Sequence, residues 1–118
     1  NPVLFIKTLF VAFMLFIEFR FRSRKIEGLF ETEDGARRYP SEVVDAFFEA
    51  MSVIKAAVDE RDLYALKGFH FEKLEGQRGK AGDRSLRLNK QWRLTLRLER
   101  DDQGKFILIL DIEKHYRK

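Results

Sequence analysis

Residues 74–99 read LEGQRGKAGDRSLRLNKQWRLTLRLE, and this stretch decides the fold. Its first half is a basic loop punctuated by Gly76, Gly79 and Gly82. Its second half alternates with period two. Leu86 and Leu88 stand between Ser85, Arg87 and Asn89, and Trp92, Leu94, Leu96 and Leu98 alternate with Arg93, Thr95, Arg97 and Glu99. Side chains spaced in this way line opposite faces of a strand. Asn89-Lys90-Gln91 between the two runs reads as a tight turn. The expectation is a hairpin with one apolar face for a core and one arginine face. The glycine loop is not a phosphate loop, because no Gly-Lys-Ser/Thr follows it and no helix is expected to start there.

Moving outward, residues 106–110 are apolar at every position, as expected for a central strand covered on both sides. Beyond them Asp111, Glu113 and His115 point one way and Ile112, Lys114 and Tyr116 the other. Upstream, residues 69–74 read as a short strand or ordered connection. The clearest helix follows Pro40, with Ser41 as N-cap. Val44, Phe47, Phe48, Met51, Ile54 and Val58 recur at spacings of three and four, giving an apolar stripe to cover the sheet. Residues 62–66 suggest another helical turn, residues 23–31 a short helix, and residues 15–21 an edge strand. The fold class is α+β: a small antiparallel sheet of about four strands, covered by N-terminal helices.

Residues 3–17, VLFIKTLFVAFMLFI, are too short for a spanning helix and no small-residue cleavage site follows. We read residues 1–13 as an apolar, non-native extension and 14–118 as one domain beginning at Met14. The alternative is a membrane-seeking or partner-binding segment, which would make residues 1–17 the working part of a membrane-associated regulator.

The chain has 118 residues, 45% of them hydrophobic and 36% charged, which fits a single small globular domain. The net charge is +4, but between positions 67 and 100 ten Lys or Arg face four Asp or Glu. An excess confined to one segment points to a polyanionic or acidic partner. A solvated face is the plain alternative. There is no cysteine, which excludes disulfides, thiolate catalysis and cysteine-based zinc sites. His70 and His115 are too few for a convincing metal site, so neither metal nor cofactor is expected.

Three groups could carry chemistry. The first is the arginine face, Arg87, Arg93 and Arg97, whose planar forks suit phosphate. The second is the strand end Glu113-Lys114-His115-Tyr116, where His115 could transfer protons near neutrality. The third is His70 with Lys73 and Glu75. Each has an ordinary reading as exposed polar residues. Brought together, they would supply a proton acceptor, a proton donor and cations for a phosphorane, which is what metal-free RNA cleavage requires.

RSLRLNKQWRLTLRL, preceded by LEGQRGKAGD, resembles the signature of HigB-type toxins, the plasmid-maintenance killer subgroup of the RelE/ParE superfamily. Leu74, Gly76, Arg78, Ser85, Arg87, Asn89, Gln91, Trp92 and Arg93 carry the match, and the likeness runs from about residue 15 onward. The family's closing Asp-Tyr-His corresponds here to Glu113-Lys114-His115. The loop is about two residues longer, Glu75 stands where a Lys is common, with Lys73 as its substitute, and Tyr116 follows His115.

The resemblance implies a cytoplasmic toxin of a type II toxin–antitoxin system, a ribosome-dependent mRNA endoribonuclease that arrests translation. The alternative is a non-catalytic toxin of the same fold that inhibits a protein target such as DNA gyrase. Implied partners are a HigA-like helix-turn-helix antitoxin, the ribosome and mRNA. Operator DNA is reached only through the antitoxin, and no membrane is involved. By this likeness His115 transfers protons, Arg93 stabilises phosphate charge and Arg78 is a second cation. The candidate catalytic set is His115, Arg93, Lys73 and Glu113. The RNA-contacting set is Arg78, Lys80, Arg84, Arg87, Arg97, Lys114, Tyr116 and His70.

Overall fold

The computed structural model describes residues 16–64 and 67–114. The alternating stretch forms the expected hairpin, strands β3 (Asp83–Arg87) and β4 (Trp92–Asp101). The turn closes on Asn89, whose Oδ1 accepts from the backbone N–H groups of Gln91 and Trp92 at 2.8 Å each. Asn side chains favour such turns because they satisfy backbone donors locally. Leu86 stands opposite Leu94 and Arg87 opposite Arg93, so the apolar and arginine faces continue across both strands.

Strand β5 (Gly104–Lys114) pairs antiparallel with β4, and β1 (Glu18–Phe21) pairs parallel with β5. The two-residue β2 (Glu72–Lys73) adds to β3. The sheet therefore has five strands in the order β1-β5-β4-β3-β2, one more than about four, and it is mixed rather than purely antiparallel. A β-bulge interrupts β4–β5 pairing. Thr95 faces Asp111 and Leu96 faces Ile109, which leaves Leu110 without a partner of its own. The extra residue resets the alternation. Ile107, Ile109 and Ile112 all face the core, and Asp111 and Glu113 turn to the other side.

Helix α1 (Arg24–Thr32) starts at Ser23, whose side chain accepts from the Ile26 N–H, and ends where Glu33 turns left-handed at φ 60°. Helix α2 (Ser41–Ala56) covers the sheet with Val43, Val44, Phe47, Ala50, Met51 and Ile54. Ser41 is its first residue rather than its cap; Pro40 occupies the cap position with no side-chain bond. Val58 lies beyond the helix and is 61% exposed, because the stripe ends at Ile54 and Ala57. Phe19, Phe21, Phe30 and Phe48 pack as an aromatic cluster between β1 and the two helices.

Helix α3 (Arg61–Tyr64) supplies buried Leu63. Residues 76–80, expected as open loop, form a short helix, α4 (Gly76–Lys80). Gly76 enters it at φ 68°, and a Cβ on Gly79 would sit 1.7 Å from the Leu74 carbonyl oxygen. Glycine at position 79 therefore lets α4 lie directly on the chain leaving β2.

Among the described residues the two long helices, α1 and α2, lie on one face of the sheet and neither covers the second. Phe106 and Leu108 are half-buried there, under the Arg20 side chain, whose guanidinium carbon sits 3.9 Å above the Phe106 ring. No helix among the described residues is long and apolar enough to cross a membrane. The expected extension at residues 1–13, Met14 and the start of the first strand at Leu15 lie outside the described residues, as do 65 and 66 in the expected turn.

Candidate functional site

The face away from α1 and α2 carries the polar chemistry. Pairing brings Asp83, Ser85 and Arg87 of β3 beside Arg97, Thr95 and Arg93 of β4, and sets Arg93 opposite Glu113 of β5. Helix α4 delivers Arg78 to the same face. Its Nε donates to Asp83 at 3.1 Å, and its two terminal nitrogens donate to the two oxygens of Glu113 at 2.7 and 2.8 Å. Arg97 Nε donates to the other oxygen of Asp83 at 2.6 Å, and its Nη1 to Glu99 at 3.2 Å. Thr95 Oγ1 donates to Glu113 at 2.7 Å. The result is a ladder across three strands and a helix, running Glu99–Arg97–Asp83–Arg78–Glu113–Thr95.

Asp83 is the ladder's inner rung, with a side chain 3% exposed. Burial pushes its carboxyl up, but the Arg97 and Arg78 guanidiniums outweigh that and hold it below the usual carboxylate range. Glu113 is also held low, first by the bidentate Arg78 contact, against burial, and then by Thr95 and the nearby Arg93 charge. Arg78 and Arg97 are correspondingly raised, by Glu113 and Asp83 in turn. A carboxylate whose oxygens are already occupied and whose ionised form is favoured is a poor proton acceptor near neutrality. Glu113 suits holding Arg78 better than proton transfer.

The ladder holds three carboxylates and two guanidiniums, and two further arginines stand beyond it at the hairpin end. There Arg87 and Arg93 oppose each other, at a small concavity also lined by Glu72, Ser85, Asn89, Lys90 and Trp92. Among the described residues the Arg87 guanidinium has no ion-pair partner, and Arg93 is half-buried.

Not every expected residue reaches this face. Arg84 pairs with Leu96 and so alternates to the α1–α2 side of the sheet, while Lys73 reaches to α4, its Cε 3.4 Å from where a Cβ on Gly79 would sit. Lys114 pairs with Trp92 and sits 5.4 Å from its indole ring, again on the helix side. His70 is an exposed loop residue at φ 47°, and Lys80 ends α4 in solvent. His115 and Tyr116 lie outside the described residues.

Three residues of the ladder, Asp83, Thr95 and Glu99, were not singled out as site residues from the sequence. For Asp83 a signal existed: it is the sole acidic residue between Glu75 and Glu99 in an otherwise basic stretch. No group of His, Asp or Glu that could hold a metal ion occurs among the described residues.

Comparison with known proteins agrees with this architecture. Residues 19–112 match the family described as the RelE-like toxin of the type II toxin–antitoxin system HigB. Toxin HigB-1 of Vibrio cholerae serotype O1 is 36% identical over 74 residues, covering 63% of this chain and 76% of that protein. The solved structure of a YoeB/ParE toxin from Agrobacterium tumefaciens overlays with a TM-score of 0.51, spanning 85% of this chain and all of that one. At 15% identity that likeness concerns the fold alone. A family match over nearly all of the described sheet, with a relative that shares more than a third of the aligned residues, shows that this chain belongs to the HigB-like toxins.

Proposed function

We propose that this toxin is a ribosome-dependent mRNA endoribonuclease that arrests translation. The observation that carries the reading is that Arg87 and Arg93 stand opposite each other at the hairpin end, on the same face as the Arg78–Glu113 contact. Two guanidiniums on adjacent strands suit a phosphodiester, which each can grip through paired N–H donors.

In the proposed reaction the 2′-oxygen of a ribose attacks the adjacent phosphorus and its proton passes to a base. The bond to the 5′-oxygen breaks, that oxygen takes a proton, and a 2′,3′-cyclic phosphate remains. Arg93 and Arg87 stabilise the charge that builds on the phosphorane oxygens. His115 transfers the proton, a role that rests on the family likeness. Glu113 holds Arg78 in place. The partner is a helix-turn-helix antitoxin, through which alone operator DNA is reached, and the compartment is the cytoplasm, where ribosomes and mRNA are found.

The test is induction in cells followed by primer extension on translated messages. New 5′ ends within messages are expected, with Arg93→Ala and His115→Ala abolishing them while circular dichroism stays unchanged. Full toxicity in both variants would refute the assignment. DNA damage without message cleavage would instead identify a same-fold inhibitor of a protein such as gyrase.

A further inference from the structure

Arg78 sits on the arginine face, and its nitrogens point into the ladder. Nε and both terminal nitrogens are each committed to a carboxylate oxygen of its own chain. Asp83, the acceptor at Nε, is buried and fixed from its other side by Arg97. Glu113, the acceptor at the far end, is fixed from its other side by Thr95. The helix that carries Arg78 is itself pressed on the backbone at Leu74 through Gly79. Three of the five N–H groups of Arg78 are therefore committed within the chain, and each anchoring carboxylate is held from its other side.

We infer that Arg78 is a positioning residue: with Asp83 and Thr95 it fastens Glu113, and so the end of β5, to the sheet beside Arg93. This rests on the nuclease reading, because the chain leaving Glu113 reaches His115 two positions later. A strand end that frays would leave the Glu113 carboxylate, and the chain that continues from it, without a fixed place beside Arg93. The fork geometry is the essential property. A lysine would keep the charge but could not span Asp83 and Glu113 together.

The experiment is cleavage of a defined mRNA on programmed ribosomes under single-turnover conditions. Wild type, Arg78→Lys, Arg78→Gln and Glu113→Gln are compared, with Arg87→Gln as the phosphate-contact control. Positioning predicts that all three variants of the clamp lose maximal rate roughly 10- to 100-fold, the scale of a misplacement of about 1 Å at a reacting group. Their half-saturating concentration and the salt dependence of binding stay at wild-type values. Arg87→Gln instead weakens binding and lowers the logarithmic salt slope by about one.

Glu113→Gln removes no cation, so a rate loss there cannot be a lost phosphate contact. The inference is overturned if Arg78→Lys and Glu113→Gln cleave like wild type, or if Arg78→Gln acts as Arg87→Gln does. A wild type that cleaves nothing sinks the nuclease reading separately. In that case amide exchange at residues 111–114 decides the anchoring: faster exchange in Arg78→Gln supports it and unchanged exchange overturns it.

Discussion

Asp83→Asn is the most searching perturbation of this structure, because it removes one charge and touches two arginines while barely changing volume. The wild-type carboxylate accepts from Arg97 at 2.6 Å and from Arg78 at 3.1 Å with only 3% of its side chain exposed. Each such charge-assisted hydrogen bond contributes about 1.5–3 kcal/mol. Stripping one partner from a fully buried ion pair costs about 3–5 kcal/mol. Arg78 and Arg97 are 41% and 26% exposed, so water takes up part of what they lose. The net cost at neutral pH should therefore be about 2–3 kcal/mol. For a domain of this size that lowers Tm by about 8–15 °C.

The pH dependence has a definite sign. The folded carboxyl titrates below its unfolded value, so its contribution is present above the unfolded pKa of about 3.9 and is lost as pH falls through the lower folded value. Urea titrations of both proteins should give a stability gap that is constant above about pH 5 and narrows in the acid range. A gap under about 0.5 kcal/mol at pH 7, or one that widens on acidification, would refute the ladder as a source of stability.

Two smaller perturbations probe the ends of the site. Gly79→Ala gains roughly 1 kcal/mol of helix propensity in α4, yet the new Cβ meets the Leu74 carbonyl. Overpacking should win, and chemical denaturation should show a net loss of about 1–2 kcal/mol. Asn89→Ala leaves the Gln91 and Trp92 N–H groups to water. It should cost about 1 kcal/mol and speed amide exchange at those two residues while the centre of β4 stays protected.

The elements visible in the sequence were those whose signal is local. Helix α2 announces itself through spacings of three and four, and the β3–β4 hairpin through strict alternation around Asn89. The arginine face follows from the same alternation, which is why Arg87, Arg93 and Arg97 emerged together. What stayed hidden depends on partners far apart in the chain. The parallel pairing of β1 with β5 joins residues 18–21 to 106–109, and no local pattern encodes it.

The bulge at Leu110 is similarly silent. Counting by twos from Ile107 would put Glu113 in the core, and the extra residue is what brings it to Arg78. The phase of Lys73 was not readable, because a two-residue strand carries no alternation. Helix α4 was missed because Gly76 and Gly79 suggest a breaker, whereas Gly79 is there for close approach. The ladder needed both the bulge and the helix, so Asp83 could only look like an odd acid in a basic loop.

The parallel β1–β5 pair also sets a timetable for assembly. Strand β1 has a single neighbour in the sheet, and that neighbour is made almost ninety residues later. During synthesis β1 emerges with no strand to pair with, and β4 waits with one edge unpaired until residues 104–114 appear. Pairings of such long sequence separation form late and slowly. A nascent chain that stops short of Gly104 thus lacks both the partner of β1 and the carboxylate that clamps Arg78. The described sheet therefore closes only once β5 has formed.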